Sequence, residues 1–130
     1  MGSLVRGVLD TSVVIATGAS SLPDESAISV ATLAELHFGV HMARTDEERK
    51  ARLHRLAEIE SRFDALPIDE AVARSYGALA HTVAAAGRKP HTRAMDILVA
   101  ATAHAHGVAV YTRNLDDFEL FRGTVDVHQA

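Results

Sequence analysis

The chain has 130 residues, 48% of them hydrophobic and 23% charged, with a formal net charge of −4 and no cysteine. This length and balance suit a single domain over residues 1–130 with one core; disulfide frameworks and thiolate metal sites are excluded, and the acidic balance argues against coating nucleic acid by bulk charge, although a local basic patch stays open. No apolar run of eighteen residues and no secretory leader is legible, so no membrane association is expected and the cytoplasm is the default location.

VRGVL, Val5 to Leu9, reads as a short strand ending at Asp10, and TSVVIA then starts a helix with Thr11 or Ser12 as cap. GASSLPDES is a loop by its Gly, Pro and Ser content. Ala27 to Val30 is a second strand, followed by a helix through TLAELHFGVHMA. TDEERKARLHRLAEIESRF opens with a capping box, Thr45 and Glu48, and carries Leu53, Leu56, Ile59 and Phe63 at the spacing of an amphipathic helix. DALPI is a short strand. Asp69 then caps a long helix that presents Val72, Tyr76, Leu79 and Val83 on one face and stops at Gly87. The basic loop RKPHTR leads into AMDILVAATAHAHG, a helix apolar almost all round, and Val108 to Thr112 and Val125 to His128 supply the last strands. Short apolar strands alternating with helices imply an α/β fold, a short central parallel sheet covered by helices on both faces. Such sheets bind ligands beyond the carboxyl ends of their strands.

Four places carry acid where that edge falls. Asp10 follows the first strand directly, a position that also suits a helix N-cap. Glu35 completes Thr32-x-x-Glu35, the spacing of a capping box. Asp96 shares a helix face with Val99, Ala100 and Ala103, where a charge without a partner is costly to bury; a salt bridge to Arg93, three residues earlier, is the structural alternative. The small Ala100 and Ala103 would let a backbone or an ion approach on that face. RNLDDF, after the strand ending at Thr112, adds Asn114, Asp116 and Asp117, a composition common in Asx-turns. Several carboxylates at one edge repel unless a cation joins them, and oxygen-only donors suit Mg²⁺ or Mn²⁺.

VLDTSVVI, TLAEL, MDILVAATA and YTRNLDDF, in this order and over nearly the whole chain, resemble the motifs of PIN-domain ribonucleases of the VapC toxin type. The resemblance implies a small PIN-like fold and an Mg²⁺- or Mn²⁺-dependent endoribonuclease acting on transfer or ribosomal RNA. It also implies a homodimer, and inhibition by a cognate VapB antitoxin. Carried over by position, Asp10 matches the family's first acid, Glu35 the second and Asp96 the third. The fourth falls on Asn114, where some members have an acid; members with the TRN form have Asn there and acids just beyond. Asn114 therefore takes a positioning role, and Asp116 or Asp117 completes the charge. Thr11, Ser12 and Thr112 match the polar positions of the same motifs and orient carboxylates or a bound water. On this reading Asp10 and Asp96 hold one ion directly, while Glu35 and the Asn114 to Asp117 cluster reach it through water or hold a second. Hydrolysis then needs no covalent intermediate and leaves a 5′-phosphate and a 3′-hydroxyl.

Arg88, Lys89, Arg93 and Arg113 flank the third and fourth motifs and are candidate phosphate contacts, or a solvated loop face. His37 and His41 have the i, i+4 spacing of a transition-metal pair, but no Glu stands beside the first His as in zinc proteases. Exposed apolar parts of the helices from Thr32 to Met42 and Thr45 to Phe63 are candidates for the antitoxin interface. A phosphoacceptor receiver domain would need paired acids after the first strand and a late lysine, and a haloacid-dehalogenase-like phosphatase a second acid where Ser12 stands. The second reading comes from within the resemblance: a PIN-fold protein that has lost cleavage and acts only by binding, favoured by Asn114 and opposed by Asp10, Glu35 and Asp96.

Overall fold

The apolar residues of short strands point alternately to two faces, so a sheet built from them must be covered twice. The computed structural model describes residues 4–16 and 22–130; part of the expected GASSLPDES loop, residues 18–21, lies outside them. The strands are β1 Arg6–Leu9, β2 Glu25–Ser29, β3 Asp64–Leu66, β4 Ala109–Thr112 and β5 Val127–Gln129. They pair in parallel in the order β3-β2-β1-β4-β5. From β1 the chain steps outward through β2 to β3, then crosses to β4 on the other side of β1. That reversal makes the carboxyl ends of β1 and β4 the switch point of the sheet, where open parallel sheets take ligands.

The helices are α1 Thr11–Val14, α2 Val30–His41, α3 Asp46–Arg62, α4 Glu70–Ala85, α5 Ala94–Ala105 and α6 Leu115–Phe118. On one face Val8, Val110 and Val127 of the sheet pack with Val72, Leu79 and Val83 of α4 and Ile97, Ala100 and Ala103 of α5. On the other, Leu9, Ile28 and Tyr111 pack with Val13 of α1 and Ile59 of α3. This is the two-faced α/β arrangement that the alternation of elements implies. Gly87 and Gly107, at φ +79° and +65°, end α4 and α5 in the left-handed conformation that glycine adopts freely.

Boundaries differ from the apolar pattern where backbone pairing or capping outranks it. Strand β2 starts at Glu25 rather than Ala27, because Glu25 and Ser26 pair with Arg6 and Gly7 of β1. Helix α2 starts at Val30, capped by Ser29, whose Oγ accepts from Ala31 N at 3.0 Å. The Thr32–Glu35 capping box therefore does not form; Thr32 lies inside the helix and is buried. Neither Thr11 nor Ser12 is a cap, since both lie within α1 and Asp10 holds the N-cap position. The Thr45 cap of α3 and the Asp69 cap of α4 do form, accepting from Glu48 N at 3.1 Å and Val72 N at 3.0 Å. Leu53 of α3 is exposed, although it shares the helical spacing of buried Leu56 and Ile59.

Three turns went unread in the sequence: the 3-10 turn Pro90–Arg93, helix α6 and the 3-10 turn Glu119–Phe121. The last two bury Phe118 and Phe121 completely, with the rings edge-on at 5.9 Å. An Asx-turn reading of RNLDDF hid them, because apolar packing of Phe118 and Phe121, with Leu115 and Leu120 beside them, holds this segment to the core.

Candidate active site

Asp10 leaves β1 at the switch point. Its backbone N donates to the Tyr111 carbonyl at 2.9 Å, extending the pairing of β1 with β4 by one residue. The side chain is buried, 6% exposed, and makes no cap bond to α1. Instead Oδ2 accepts from Ser12 Oγ at 2.8 Å and Thr112 Oγ1 at 3.0 Å. Those hydroxyls in turn accept from backbone: Ser12 Oγ from Arg113 N at 3.1 Å, and Thr112 Oγ1 from Asn114 N at 3.0 Å. The loop after β4 is thereby stitched to the first turn of α1, and one oxygen of Asp10 is locked while the other has no bond among the described residues.

Glu35 lies in the second turn of α2, six residues after the Ser29 cap. Thr11 Oγ1 donates to its Oε1 at 2.7 Å, and Thr32 Oγ1 stands 3.3 Å from the same Thr11 hydroxyl. Thr32, assigned in the sequence to a cap, is thus part of the support of Glu35. The usable signal is its i, i+3 spacing to Glu35, which puts both on one helix face.

Asp96 occupies the first turn of α5, half-buried. Burial, and then the negative charges of Asp10, Asp117 and Glu35, push its carboxyl up from the ordinary 3.8 to about 6, against the opposing pull of Arg93. This mutual influence groups Asp10, Glu35, Asp96 and Asp117 at one edge. Asp116 is exposed and is not among the charges acting on Asp96. Asn114 is exposed at the N-cap of α6, without a side-chain cap bond. None of the four grouped acids belongs to an ion pair among the described residues. The expected Arg93–Asp96 bridge is replaced by a hydrogen bond from Arg93 Nη1 to the Asp117 carbonyl at 2.9 Å. Arg88, Lys89 and Arg113 are exposed, and none acts on Asp96.

Among the described residues no three acidic or histidine side chains stand close enough to enclose an ion by themselves. The donors nevertheless fit a hard divalent cation: oxygen only, negative in excess, and open enough to leave positions for water and a substrate phosphate. His37 pairs with Glu60 at 3.1 Å, so it is committed away from His41.

A parallel sheet with acids gathered at its switch point is the frame of a nuclease-like cleft, and over residues 7–122 the sequence matches the family model of the PIN domain. The chain belongs to the PIN-domain family, beside members named ribonuclease VapC. It is 38% identical over 127 residues to ribonuclease VapC5 of Mycobacterium tuberculosis, covering 93% of this chain and 91% of that one. Ribonuclease VapC4 of the same organism is 38% identical over 117 residues, 85% and 88% of the two chains. The crystal structure of VapBC-5 from M. tuberculosis, a member of the VapBC family of toxin–antitoxin systems, superposes with a TM-score of 0.83 at 37% identity, over 96% of this chain and 97% of that one. Among the described residues no helix is long and apolar enough to cross a membrane.

Proposed function

We propose that the chain is the toxin of a toxin–antitoxin pair, an endoribonuclease that uses Mg²⁺ or Mn²⁺ to hydrolyse phosphodiester bonds in transfer or ribosomal RNA. It is neutralised by a VapB-type antitoxin, a reading supported by its likeness to VapBC-5, a member of a toxin–antitoxin family; we further propose that it acts in the cytoplasm as a homodimer. The observation that carries this reading is the set of four carboxylates without an ion-pair partner among the described residues, of which Asp96 is driven towards its protonated form by burial and then by the charges of Asp10, Asp117 and Glu35. Such repulsion lowers stability unless a cation joins the acids.

Asp10 and Asp96 would hold the ion directly, with Glu35 and Asp117 at its margin; when bound, it supplies charge neutralisation at phosphate and activation of a water. Ser12 and Thr112 aim Asp10 by fixing Oδ2. Thr11 does the same for Glu35 through Oε1. Asn114 keeps a positioning role through its backbone N on Thr112 Oγ1. Arg88, Lys89 and Arg113 are exposed, and each is free to meet substrate phosphates. Asp116 is a reserve acid on the surface. The action of Asp117 on Asp96 favours cleavage over the binding-only reading that Asn114 supported.

The test is incubation of the purified protein, free of antitoxin, with total RNA and Mg²⁺ or Mn²⁺. We expect discrete cleavage products ending in 3′-hydroxyl, abolished by EDTA and reduced about a hundredfold or more in Asp96→Asn. Cleavage that persists in chelator or in the variant would overturn the mechanism.

A further inference from the structure

Within its own turn Asp117 is held by one bond, from its backbone N to the Asn114 carbonyl at 3.0 Å, which closes the turn without fixing it to the rest of the site. Helix α6 is a single turn, Asn114 at its N-cap makes no side-chain bond, and the last carbonyls of any helix lack intrahelical partners. Phe118 anchors the turn in the core and the partly buried Leu115 packs beside it, but apolar contacts carry little direction and leave some freedom of orientation. Two bonds from outside remove that freedom. At one end Asn114 N donates to Thr112 Oγ1 at 3.0 Å. At the other, Arg93 Nη1 donates to the Asp117 carbonyl at 2.9 Å.

Arg93 has a fixed base for this reach. It closes the 3-10 turn Pro90–Arg93, begun by a proline of restricted φ, and Thr92 bonds the Lys89 carbonyl through both N and Oγ1, at 3.3 and 2.8 Å. The turn runs directly into α5, so Arg93 stands at the N-cap position three residues before Asp96. It is half-buried, whereas Arg88, Lys89 and Arg113 are exposed.

We propose that Arg93 is a positioning residue that clamps the α6 turn to the start of α5, so that Asp117 rather than Asp116 completes the acidic site. The functional weight of the clamp rests on the reading of these acids as the cation site of a nuclease. A planar guanidinium with several donors in a rigid fork suits the task better than a lysine ammonium. Had Arg93 been only a phosphate contact, the role its sequence position suggests, the α6 turn would be indifferent to it.

The two roles separate in the absence of RNA. Arg93→Met and Arg93→Lys are compared with Asp116→Asn and Asp117→Asn by hydrogen exchange of the backbone amides of residues 115–118 and by calorimetric titration with Mn²⁺ alone. In Arg93→Met we expect faster exchange in that turn and Mn²⁺ affinity weaker by about tenfold, with Arg93→Lys in between. Asp117→Asn should weaken Mn²⁺ to a similar degree and Asp116→Asn by less than about twofold. Unchanged exchange and Mn²⁺ affinity in Arg93→Met, with only a raised KM for RNA, would overturn the clamp. So would a larger loss of Mn²⁺ affinity in Asp116→Asn than in Asp117→Asn. If Arg93→Met does not fold, Arg93→Lys carries the same readouts. A wild-type protein that binds Mn²⁺ in this pattern yet cleaves no RNA would sink the nuclease reading and leave the clamp standing.

Discussion

Asp10 and Asp96 both stand at the start of a helix near the same cleft, yet the fold treats them in opposite ways. Asp10 receives two hydroxyl donors on one oxygen. Asp96 receives burial and the charge of three other acids, and its carboxyl rises from 3.8 to about 6. A raised carboxyl means that between about pH 4 and pH 6 the folded, metal-free protein holds more protons than the unfolded chain, so stability falls as pH rises through that window. Asp96→Asn removes the charge and should raise the Tm of the metal-free protein at pH 7.5 by a few degrees, with the difference gone below about pH 4. The half-exposed side chain limits the size of the effect. Thermal melts of both proteins in EDTA across this range check it; an equal or lower Tm for the variant at pH 7.5 would contradict the repulsion. Asp10 and Asp96 were legible as site residues because their motifs were. Thr112 was legible only as a polar neighbour, since its bond to Asp10 spans 102 positions in the chain; the bond of Ser12 to Asp10 is local, and only its link to Arg113 N is long-range.

At the scale of elements, α5 decides where the acids meet. It lies across the sheet with Ile97, Ala100, Ala101 and Ala103 fully buried. The sequence left open whether a backbone or an ion approaches Ala100 and Ala103; both belong to the core cluster with Val8 and Val110, so it is the strands that their small size lets in close. Ala100→Leu inserts three carbons into that contact and should cost about 1–3 kcal/mol, lowering Tm by several degrees and reducing cleavage together. A variant with wild-type Tm and activity would show that this helix can stand further off. The element α2 was legible as a helix but not in its phase. A local motif, Thr32–Glu35, suggested a start that the Ser29 cap, set by the end of β2, overrides. Helix α6 was illegible for a different reason: its short polar stretch is helical only because Phe118 and Arg93 bind it to elements distant in sequence.

For the whole molecule, strand order places the chemistry. Because β1 lies between β2 and β4, Asp10 comes beside Thr112, and helices crossing from both sides bring Glu35 and Asp96 to the same edge. A cation held by that edge binds the folded chain alone, so Tm should climb with Mn²⁺ or Mg²⁺ concentration, by an amount equivalent to about 2.7 kcal/mol at a hundred times Kd. EDTA should reverse the rise, and Asp10→Asn should blunt it; a Tm indifferent to both ions would remove the case for a cation site. The amino-acid sequence by itself determined the α/β class and the helices on both sheet faces, and it named Asp10, Glu35 and Asp96 as candidate acids. Those follow from local periodicity and from motifs a few residues long. Only the tertiary structure decided that Glu35 is free of a capping box, that Asp117 rather than Asp116 faces the others, and that Arg93 bonds a backbone carbonyl instead of Asp96. Each depends on contacts between segments far apart in the chain, which no local pattern encodes.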